Sequence, residues 1–149
     1  MQIESILAQH RTQCGVQGGS KKRVLETLAN LITNDLPTLD ANELFRRLIA
    51  RERLGSTGIG HGIALPHCRI ENCTGTVGAL LTLKTPIDYD AIDGEPVDVI
   101  FALVVPEEAH DEHLQTLAAL AEKLSNPGYL KTLRHAKDDQ TLYQSALAP

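Results

Sequence analysis

The sequence contains no tryptophan and only three tyrosines and two phenylalanines. Stacking platforms for single-stranded nucleic acid are therefore not expected. No basic run or stripe occurs, and 14 Lys and Arg against 19 Asp and Glu give a net charge of −5. Because a nucleic-acid partner needs a positively charged footprint, we expect no nucleic acid among the partners.

Cysteine and long hydrophobic runs are also scarce. The three cysteines, Cys14, Cys68 and Cys73, form no CxxC pair, and an odd number favours a reducing compartment over a disulfide framework. The first residues lack the basic and apolar stretches of a signal peptide, and no apolar run approaches the length of a membrane span. We therefore expect a cytoplasmic protein without membrane insertion.

The 149 residues, 42% apolar and 22% charged, suit one globular domain spanning residues 1–149. Residues 1–19 are predicted to form a weak N-terminal segment. Helices are predicted from caps and apolar periodicity, and strands from runs rich in β-branched residues. The predicted helices begin at Ser20, Asp40, Asp111, Tyr129 and Asp139, and the predicted strands cover 63–67, 77–83 and 97–105. This order predicts an α/β fold, a sheet flanked by helices.

A glycine-dense loop, GSTGIGHG over residues 55–62, follows the second helix. It lacks the lysine of a phosphate-binding loop, and Ile63 stands where a dinucleotide fingerprint needs its third glycine. Both nucleotide interpretations are therefore weak. The loop is either a surface turn that needs positive φ angles, or a place where a bulky group or another protein comes very close.

His67 lies just beyond that loop, at the predicted end of a short strand. A lone histidine is usually an ordinary surface or core residue. Here Pro66 stiffens the backbone before the imidazole, and Ser56 and Thr57 offer hydroxyls in the same loop system. His67 is accordingly the candidate for exposed chemistry, whereas we expect His61 to lie on the rim of the site.

Metal binding and hydrolysis are poorly supported by the spacing of histidine and cysteine. The segment HDEH over residues 110–113 is not an HExxH motif, and four residues separate Cys68 from Cys73. Cys68 adjoins His67, but neighbours on a strand point to opposite faces, and no GxSxG elbow occurs. We expect His113 in the first turn of the third helix, off the end of a buried strand.

Four segments together carry a resemblance to a known family. They are RERLGSTGIGHGIALPH over 51–67, TPIDYDAIDGEPVD over 85–98, VVP over 104–106, and HLxxL over 113–117. They resemble the IIA domains of the fructose/mannitol type in the phosphoenolpyruvate-dependent phosphotransferase system, and within that family its nitrogen-regulatory IIA-Ntr branch. The resemblance covers most of residues 20–145.

The resemblance implies a mixed sheet flanked by helices, the mannitol/fructose-type IIA fold, and phosphoryl transfer through a histidine Nε2. The family's phosphorylated histidine falls on His67, its second active-site histidine on His113, and its active-site arginine on Arg51. Ser56 and Thr57 are predicted to bind the phosphoryl oxygens. No metal or other cofactor is needed if the donor is already a phosphohistidine.

One residue departs from the family pattern. The position after the active histidine is commonly glycine in this branch, and here it is Cys68. Its side chain can narrow the approach of a partner, and its position beside the nucleophile raises a question of redox reactivity.

Three functions are open at this point. The leading hypothesis is a nitrogen-regulatory IIA protein that accepts a phosphoryl group from an HPr-like phosphocarrier (NPr) and controls regulatory protein targets. The second is a sugar-transport IIA component that passes the phosphoryl to a IIB domain of a permease. The third is a protein-binding module without phosphotransfer, against which the joint presence of Arg51, His67 and His113 argues.

Overall fold

The computed structural model describes residues 2–149, apart from the side chain of Glu112. Two short 3-10 turns at Ile3–Ser5 and Gln9–Arg11 precede the regular elements. The strands are β1 (Thr12–Val16), β2 (Gly58–Gly60), β3 (Ile63–Ala64), β4 (His67–Ile70), β5 (Val77–Ile87) and β6 (Val97–Pro106). The helices are α1 (Lys21–Thr33), α2 (Ala41–Arg53), α3 (Asp111–Leu124), α4 (Pro127–His135) and α5 (Asp139–Leu147).

The strands form one mixed sheet in the order β1-β5-β6-β3-β2. β5 and β6 pair antiparallel, β1 lies parallel to β5, and β2 pairs antiparallel with β3. β3 and β4 follow each other along the same side of β6, both parallel to it. The predicted mixed sheet with flanking helices is confirmed.

β6 lies at the centre because nearly all of its residues are apolar, as expected for a strand covered on both faces. One face packs against α1 and α2 and the other against α3, α4 and α5, which produces two hydrophobic cores. Alternate residues of β6 enter each core: Ile100 and Ala102 enter the first, and Phe101 and Leu103 the second.

The first two helices begin where the sequence predicts. The Ser20 side chain accepts a hydrogen bond from the Arg23 amide, and Asp40 accepts one from the Glu43 amide. Each side chain satisfies an amide that has no partner within its own helix. Such caps depend on neighbouring residues alone, so the sequence was sufficient to locate them.

The prediction of a weak N-terminal segment over residues 1–19 is wrong for most of that stretch. Thr12–Val16 forms β1, and Ile3, Ile6 and Leu7 are buried in the second core. The strand's partner is the distant β5, with Thr12 opposite Leu80. Nothing local signals that pairing, because the stretch is short and lacks an apolar run.

The predicted single strand over 63–67 is also wrong in its end point. The structure divides it into β3, which stops at Ala64, and β4, which begins at His67. Pro66 lies in the interruption, and its carbonyl accepts a hydrogen bond from the Leu103 amide at 3.0 Å. His67 therefore begins a strand at the edge of the sheet. No helix among the described residues has the length and apolarity to cross a membrane.

Candidate active site

The imidazole of His67 is fixed by contacts to both of its ring nitrogens. Nδ1 lies 2.8 Å from the carbonyl oxygen of Leu65, and the Arg51 Nε lies 3.3 Å from Nε2. A carbonyl can only accept and a guanidinium can only donate, so Nδ1 carries the proton and Nε2 holds a lone pair. The ring is therefore a neutral imidazole whose free lone pair is on Nε2.

The surroundings of His67 keep it in this neutral form. Burial holds the pKa of the half-buried ring below its ordinary value, and the charge of Arg51 acts in the same direction. The hydrogen bond to Leu65 and the carboxylate of Glu52 oppose that lowering of the pKa. A neutral imidazole near pH 7 is a competent nucleophile.

Arg51 belongs to the last turn of α2 and is held from a second side. Its Nη1 donates to the carbonyl of Gly55 at 2.8 Å, at the start of the glycine-dense loop. The guanidinium is thus oriented by the loop while its Nε faces His67. A planar guanidinium held in this way is suited to donate hydrogen bonds to an anionic group attached to Nε2 of His67.

His113 lies in the first turn of α3, as the sequence predicts, and the fold brings it beside His67. The two ring centroids are 5.4 Å apart, with planes inclined by 52°. His113 is 7% exposed, and burial, with His67 and Arg69 next in effect, lowers its pKa. Among the residues that the structure describes, the buried Nδ1 of His113 has no hydrogen-bond partner. The first turn of α3 thus adds a second neutral imidazole to the site.

Ser56 and Thr57 lie in the loop, but both hydroxyls have other partners. The Ser56 hydroxyl donates to the Tyr89 carbonyl at 2.9 Å and accepts from the Gly58 amide. The Thr57 hydroxyl is buried and donates to the Glu52 carboxylate. The structure therefore assigns both side chains contacts that shape the loop, and their binding of phosphoryl oxygens stays a prediction.

Cys68 does not face the approach to His67. Its side chain is 8% exposed and packs in the first core, on the α1 and α2 side of the sheet. Burial raises the pKa of the thiol to about 12. Successive side chains of a strand point to opposite faces of the sheet, so Cys68 points into the first core while the neighbouring His67 side chain points away from it. The expected narrowing of a partner's approach is wrong for this reason.

His113 is the residue of the HDEH segment whose ring lies beside His67, whereas His61 lies in a turn of the glycine-dense loop. His61 and Gly62 form the two-residue turn between β2 and β3, with φ angles of 58° and 79°. The His61 carbonyl accepts a hydrogen bond from Arg134. The Glu112 side chain of HDEH lies outside the described residues. Within those residues no group of three or more His, Cys, Asp or Glu side chains is arranged to hold a metal ion.

Two contributors were absent from the sequence prediction. The Leu65 carbonyl, which sets the tautomer of His67, is signalled only by the extended conformation that Pro66 imposes on the residue before it. Glu52 is buried behind the loop at 4% side-chain exposure. Its signal is periodicity, because Glu52 follows the buried Leu44 and Leu48 at intervals of four residues on one helix face.

The fold and the site together define a phosphotransferase that works through a histidine. Residues 5–147 match the model of the phosphoenolpyruvate-dependent sugar phosphotransferase system family, EIIA 2. The chain belongs to this family, whose members carry the phosphoryl group as a phosphohistidine. The resemblance and the phosphotransferase class predicted from the sequence are confirmed.

Individual relatives agree with the family. A protein named nitrogen regulatory protein from Pseudomonas aeruginosa is 49% identical over 144 residues, which cover 97% of this chain and 94% of that protein. The crystal structure of the nitrogen regulatory protein IIA-Ntr from Neisseria meningitidis superposes with a TM-score of 0.90 at 36% identity, covering 97% of this chain and 98% of that one. The predicted nitrogen-regulatory branch is thereby confirmed.

The mannitol branch shares the fold. A solution structure of the complex of mannitol enzyme IIA with phosphorylated enzyme IIB from Escherichia coli matches with a TM-score of 0.73 at 14% identity. The match covers 93% of this chain and 94% of that one. At this identity the likeness shows the fold alone, and it confirms the mannitol-type IIA architecture expected from the sequence.

Proposed function

We propose that Nε2 of His67 accepts a phosphoryl group from an HPr-like phosphocarrier protein, and that the phosphorylation state controls the binding of regulatory partner proteins. The observation that carries the proposal is the tautomer: Nδ1 donates to the Leu65 carbonyl and leaves the Nε2 lone pair facing Arg51 at 3.3 Å. The same ring is half-buried and neutral, as a nucleophile at physiological pH must be.

The transfer balances without a cofactor. The Nε2 lone pair of His67 forms a bond to phosphorus as the phosphorus–nitrogen bond of the donor phosphohistidine breaks. The bonding electron pair returns to the donor nitrogen, which regains its lone pair. The proton on Nδ1 of His67 stays in place, hydrogen-bonded to the Leu65 carbonyl. Metal and nucleotide have no step to perform when the donor is already a phosphohistidine.

Arg51 and His113 stabilise the transferred group in this proposal. In phosphoryl transfer, negative charge spreads over the phosphoryl oxygens, and fixed donors aimed at them supply most of the stabilisation. Arg51 exchanges its bond to Nε2 for bonds to those oxygens. His113, with its ring centroid 5.4 Å from that of His67, donates from the other side. Ser56 and Thr57 remain candidate donors if the loop opens.

The regulatory assignment rests on the relative from Pseudomonas aeruginosa, which is 49% identical and is named a nitrogen regulatory protein. We infer a donor of the NPr type and a cytoplasmic location. A phosphoryl group adds about 1.5 to 2 negative charges near pH 7. A partner protein that contacts the glycine-dense loop would meet this charge, so its affinity would depend on phosphorylation.

Intact-protein mass spectrometry tests phosphorylation directly. The protein is mixed with phosphoenolpyruvate, enzyme I and an HPr-like carrier, beside a His67→Ala variant. We expect one acid-labile phosphoryl group on the unaltered protein and none on the variant. Absence of phosphoryl with HPr and NPr alike would reject the proposal and favour a binding module without phosphotransfer.

A sugar-transport role is the second candidate, because a mannitol enzyme IIA of the same fold is known in complex with phosphorylated enzyme IIB. Two measurements separate the roles. The phosphorylated protein is mixed with purified fructose- and mannitol-type IIB domains, and the phosphoryl on each partner is followed with time. Donors of the HPr and NPr type are then compared. The regulatory proposal expects faster loading by NPr and no transfer to either IIB domain.

A further inference from the structure

A buried carboxylate lies directly behind the site, and the proposed transfer does not use it. Glu52 follows Arg51 in the last turn of α2, and its side chain is 4% exposed. An apolar residue would continue the buried face that Leu44 and Leu48 begin. Burying a charge is costly unless it is paired and fully hydrogen-bonded, so this glutamate requires a specific explanation.

Four donors surround the Glu52 carboxylate. Oε1 accepts from the Lys21 Nζ at 2.9 Å and from the Thr57 amide at 3.0 Å. Oε2 accepts from the Thr57 hydroxyl and from the Tyr89 hydroxyl at 3.3 Å. Lys21 also lies 4.6 Å from the centroid of the Tyr89 ring. The carboxylate therefore joins the start of α1, the end of α2, the glycine-dense loop and the segment after β5.

Hydrogen bonds connect this cluster to the reacting histidine. The Thr57 amide donates to Glu52, and the Thr57 carbonyl accepts from the Leu65 amide at 3.0 Å. The Leu65 carbonyl then accepts from Nδ1 of His67 at 2.8 Å. Three consecutive bonds thus lead from the buried carboxylate to the nitrogen that sets the His67 tautomer.

We propose that Glu52 is a positioning residue for phosphoryl transfer, acting through Thr57 and Leu65 to hold the imidazole of His67 with Nε2 toward Arg51. This inference rests on the proposed function of His67. Lys21 is the counter-ion of this carboxylate, with its Nζ 2.9 Å from Oε1. The main-chain carbonyl at position 52 accepts the Gly55 amide at 3.1 Å, and the Gly55 carbonyl accepts from Arg51 at 2.8 Å. These backbone contacts do not depend on the carboxylate, so a substitution of the Glu52 side chain leaves them in place.

The electrostatic effect of Glu52 supports this geometry. Burial, the largest effect, lowers the pKa of His67, and the charge of Arg51 acts in the same direction, whereas the Leu65 hydrogen bond and the Glu52 carboxylate favour a higher pKa. Removal of the carboxylate charge and loosening of the Leu65 bond therefore lower the pKa of His67 further. A residue that only filled space in the core would change neither the pKa nor the tautomer of that ring.

Glu52→Gln is the primary variant, because glutamine keeps the size of the side chain and removes its charge. We expect phosphoryl uptake to slow about 10- to 100-fold, since small displacements of reacting groups have effects of this order. NMR of the unphosphorylated variant, labelled with ¹⁵N in histidine, is expected to show a mixture of His67 tautomers and a lower pKa of the ring. Glu43→Gln is the matched control, because Glu43 lies on the same helix in an exposed ion pair with Arg46.

The double variant Lys21→Met/Glu52→Gln covers the case in which the single variant fails to fold. It removes both members of the ion pair at once, so no ammonium is left without its carboxylate partner. We expect this protein to fold, to show the same mixture of His67 tautomers, and to take up phosphoryl as slowly as Glu52→Gln. Recovery of the full rate in the double variant would mean that the charge balance alone matters, and would overturn the proposal.

The remaining outcomes are equally decisive. A folded variant with a rate within about twofold of the unaltered protein and an unchanged His67 tautomer contradicts the positioning role. A slower rate with an unchanged tautomer and pKa means that Glu52 does not act through Leu65, which also overturns it. The tautomer measurement needs no phosphoryl donor. It therefore tests the positioning even if the unaltered protein accepts no phosphoryl, which would reject the proposed function separately.

Discussion

Among single residues, Arg51 makes two contacts at the site through N–H groups that point in different directions. Nε faces the Nε2 of His67 at 3.3 Å, and Nη1 donates to Gly55 at 2.8 Å. Lysine has a single point-charge donor group and cannot keep both contacts. Arg51→Lys is expected to slow phosphorylation of His67 by about 10²- to 10³-fold, the usual effect of removing a fixed donor to developing charge.

The control for that substitution is Arg53→Lys, two residues further along and exposed. Rates of phosphoryl uptake are followed by intact mass under identical donor concentrations. The control is expected to match the unaltered protein. Equal rates for Arg51→Lys and Arg53→Lys would show that the guanidinium has no part in the transfer.

The titration of His67 is a second residue-scale test. Because burial lowers its pKa, the ring stays neutral at pH values where an ordinary imidazole, with a pKa near 6.5, is half protonated. Phosphoryl uptake is therefore expected to remain near its maximal rate at pH 6.5. Histidine proton resonances followed from pH 4 to 8 give the pKa directly, and a value at or above 6.5 would contradict the account.

The lowered pKa values of the two histidines also make the stability of the protein depend on pH. The unfolded chain binds protons to His67 and His113 at higher pH than the folded protein does. Burial of the two neutral rings therefore contributes its full amount to the free energy of unfolding above the unfolded-state pKa near 6.5. That contribution is lost as the pH falls from there to the lowered pKa values of the folded protein. Chemical unfolding at pH 7.5 and 5.5 is expected to show a lower free energy of unfolding at pH 5.5, and a smaller pH effect in His113→Phe.

Cys68 is predicted to be inert in the reaction. Its thiol is buried in the first core with its pKa raised to about 12, so a thiolate at neutral pH is scarce. Cys68→Ala is expected to destabilise the protein by about 1 kcal/mol through lost packing, with an unchanged rate of phosphorylation. Urea unfolding and the phosphorylation assay check both expectations, and a rate loss above about threefold would implicate the thiol.

At the scale of elements, the glycine-dense loop depends on close contact with the segment after β5. A Cβ added at Gly58 would lie 2.8 Å from both Cα and Cβ of Ala91, and the Ile92 amide donates to the Gly58 carbonyl at 3.0 Å. Backbone at that distance must shift. Gly58→Ala is therefore expected to destabilise the protein by about 1–3 kcal/mol and to slow phosphorylation by moving the loop.

Gly75→Ala is the control for that variant, since a Cβ there meets nothing within 4 Å. Its stability and rate are expected to stay close to those of the unaltered protein. Thermal unfolding of the pair measures the difference. Equal melting temperatures for the two variants would mean that the Gly58 contact is not a constraint on the loop.

Local signals explain which elements the sequence could predict. α1 and α2 follow from Ser20, Asp40 and the apolar positions between their ends, all within one helix length. β1 and β4 could not be predicted, because each is short and is stabilised by a partner far along the chain. The bonds from Lys21 and Tyr89 to Glu52 likewise join segments whose proximity only the fold creates. His67, His113 and Arg51 were identified by resemblance, while the Nδ1 bond to Leu65 required the structure.

At the scale of the whole molecule, the two hydrophobic cores on either side of the sheet are formed by different helices. The first packs α1 and α2, of which α2 ends at the site, and the second packs α3, α4 and α5 together with the N-terminal segment. Leu7 is 2% exposed within the second core. The segment before β1 is therefore part of the folded domain.

Leu7→Ala tests that whole-molecule assignment. The substitution is expected to reduce the free energy of unfolding by about 2–4 kcal/mol, as for other buried leucines. Leu54→Ala is the control, because Leu54 is 85% exposed and its truncation leaves no cavity. Urea denaturation compares the two. A cost below about 0.5 kcal/mol for Leu7→Ala would mean that the N-terminal segment contributes little to the fold.

The most direct test of the central claim is to identify the phosphorylated nitrogen. The protein is labelled with ¹⁵N in histidine, phosphorylated, and studied by NMR for the phosphorus–nitrogen coupling. The geometry predicts one phosphoryl on Nε2 of His67, with the Nδ1 proton still bonded to Leu65. A phosphoryl on Nδ1 of His67, or on either nitrogen of His113, would contradict the account.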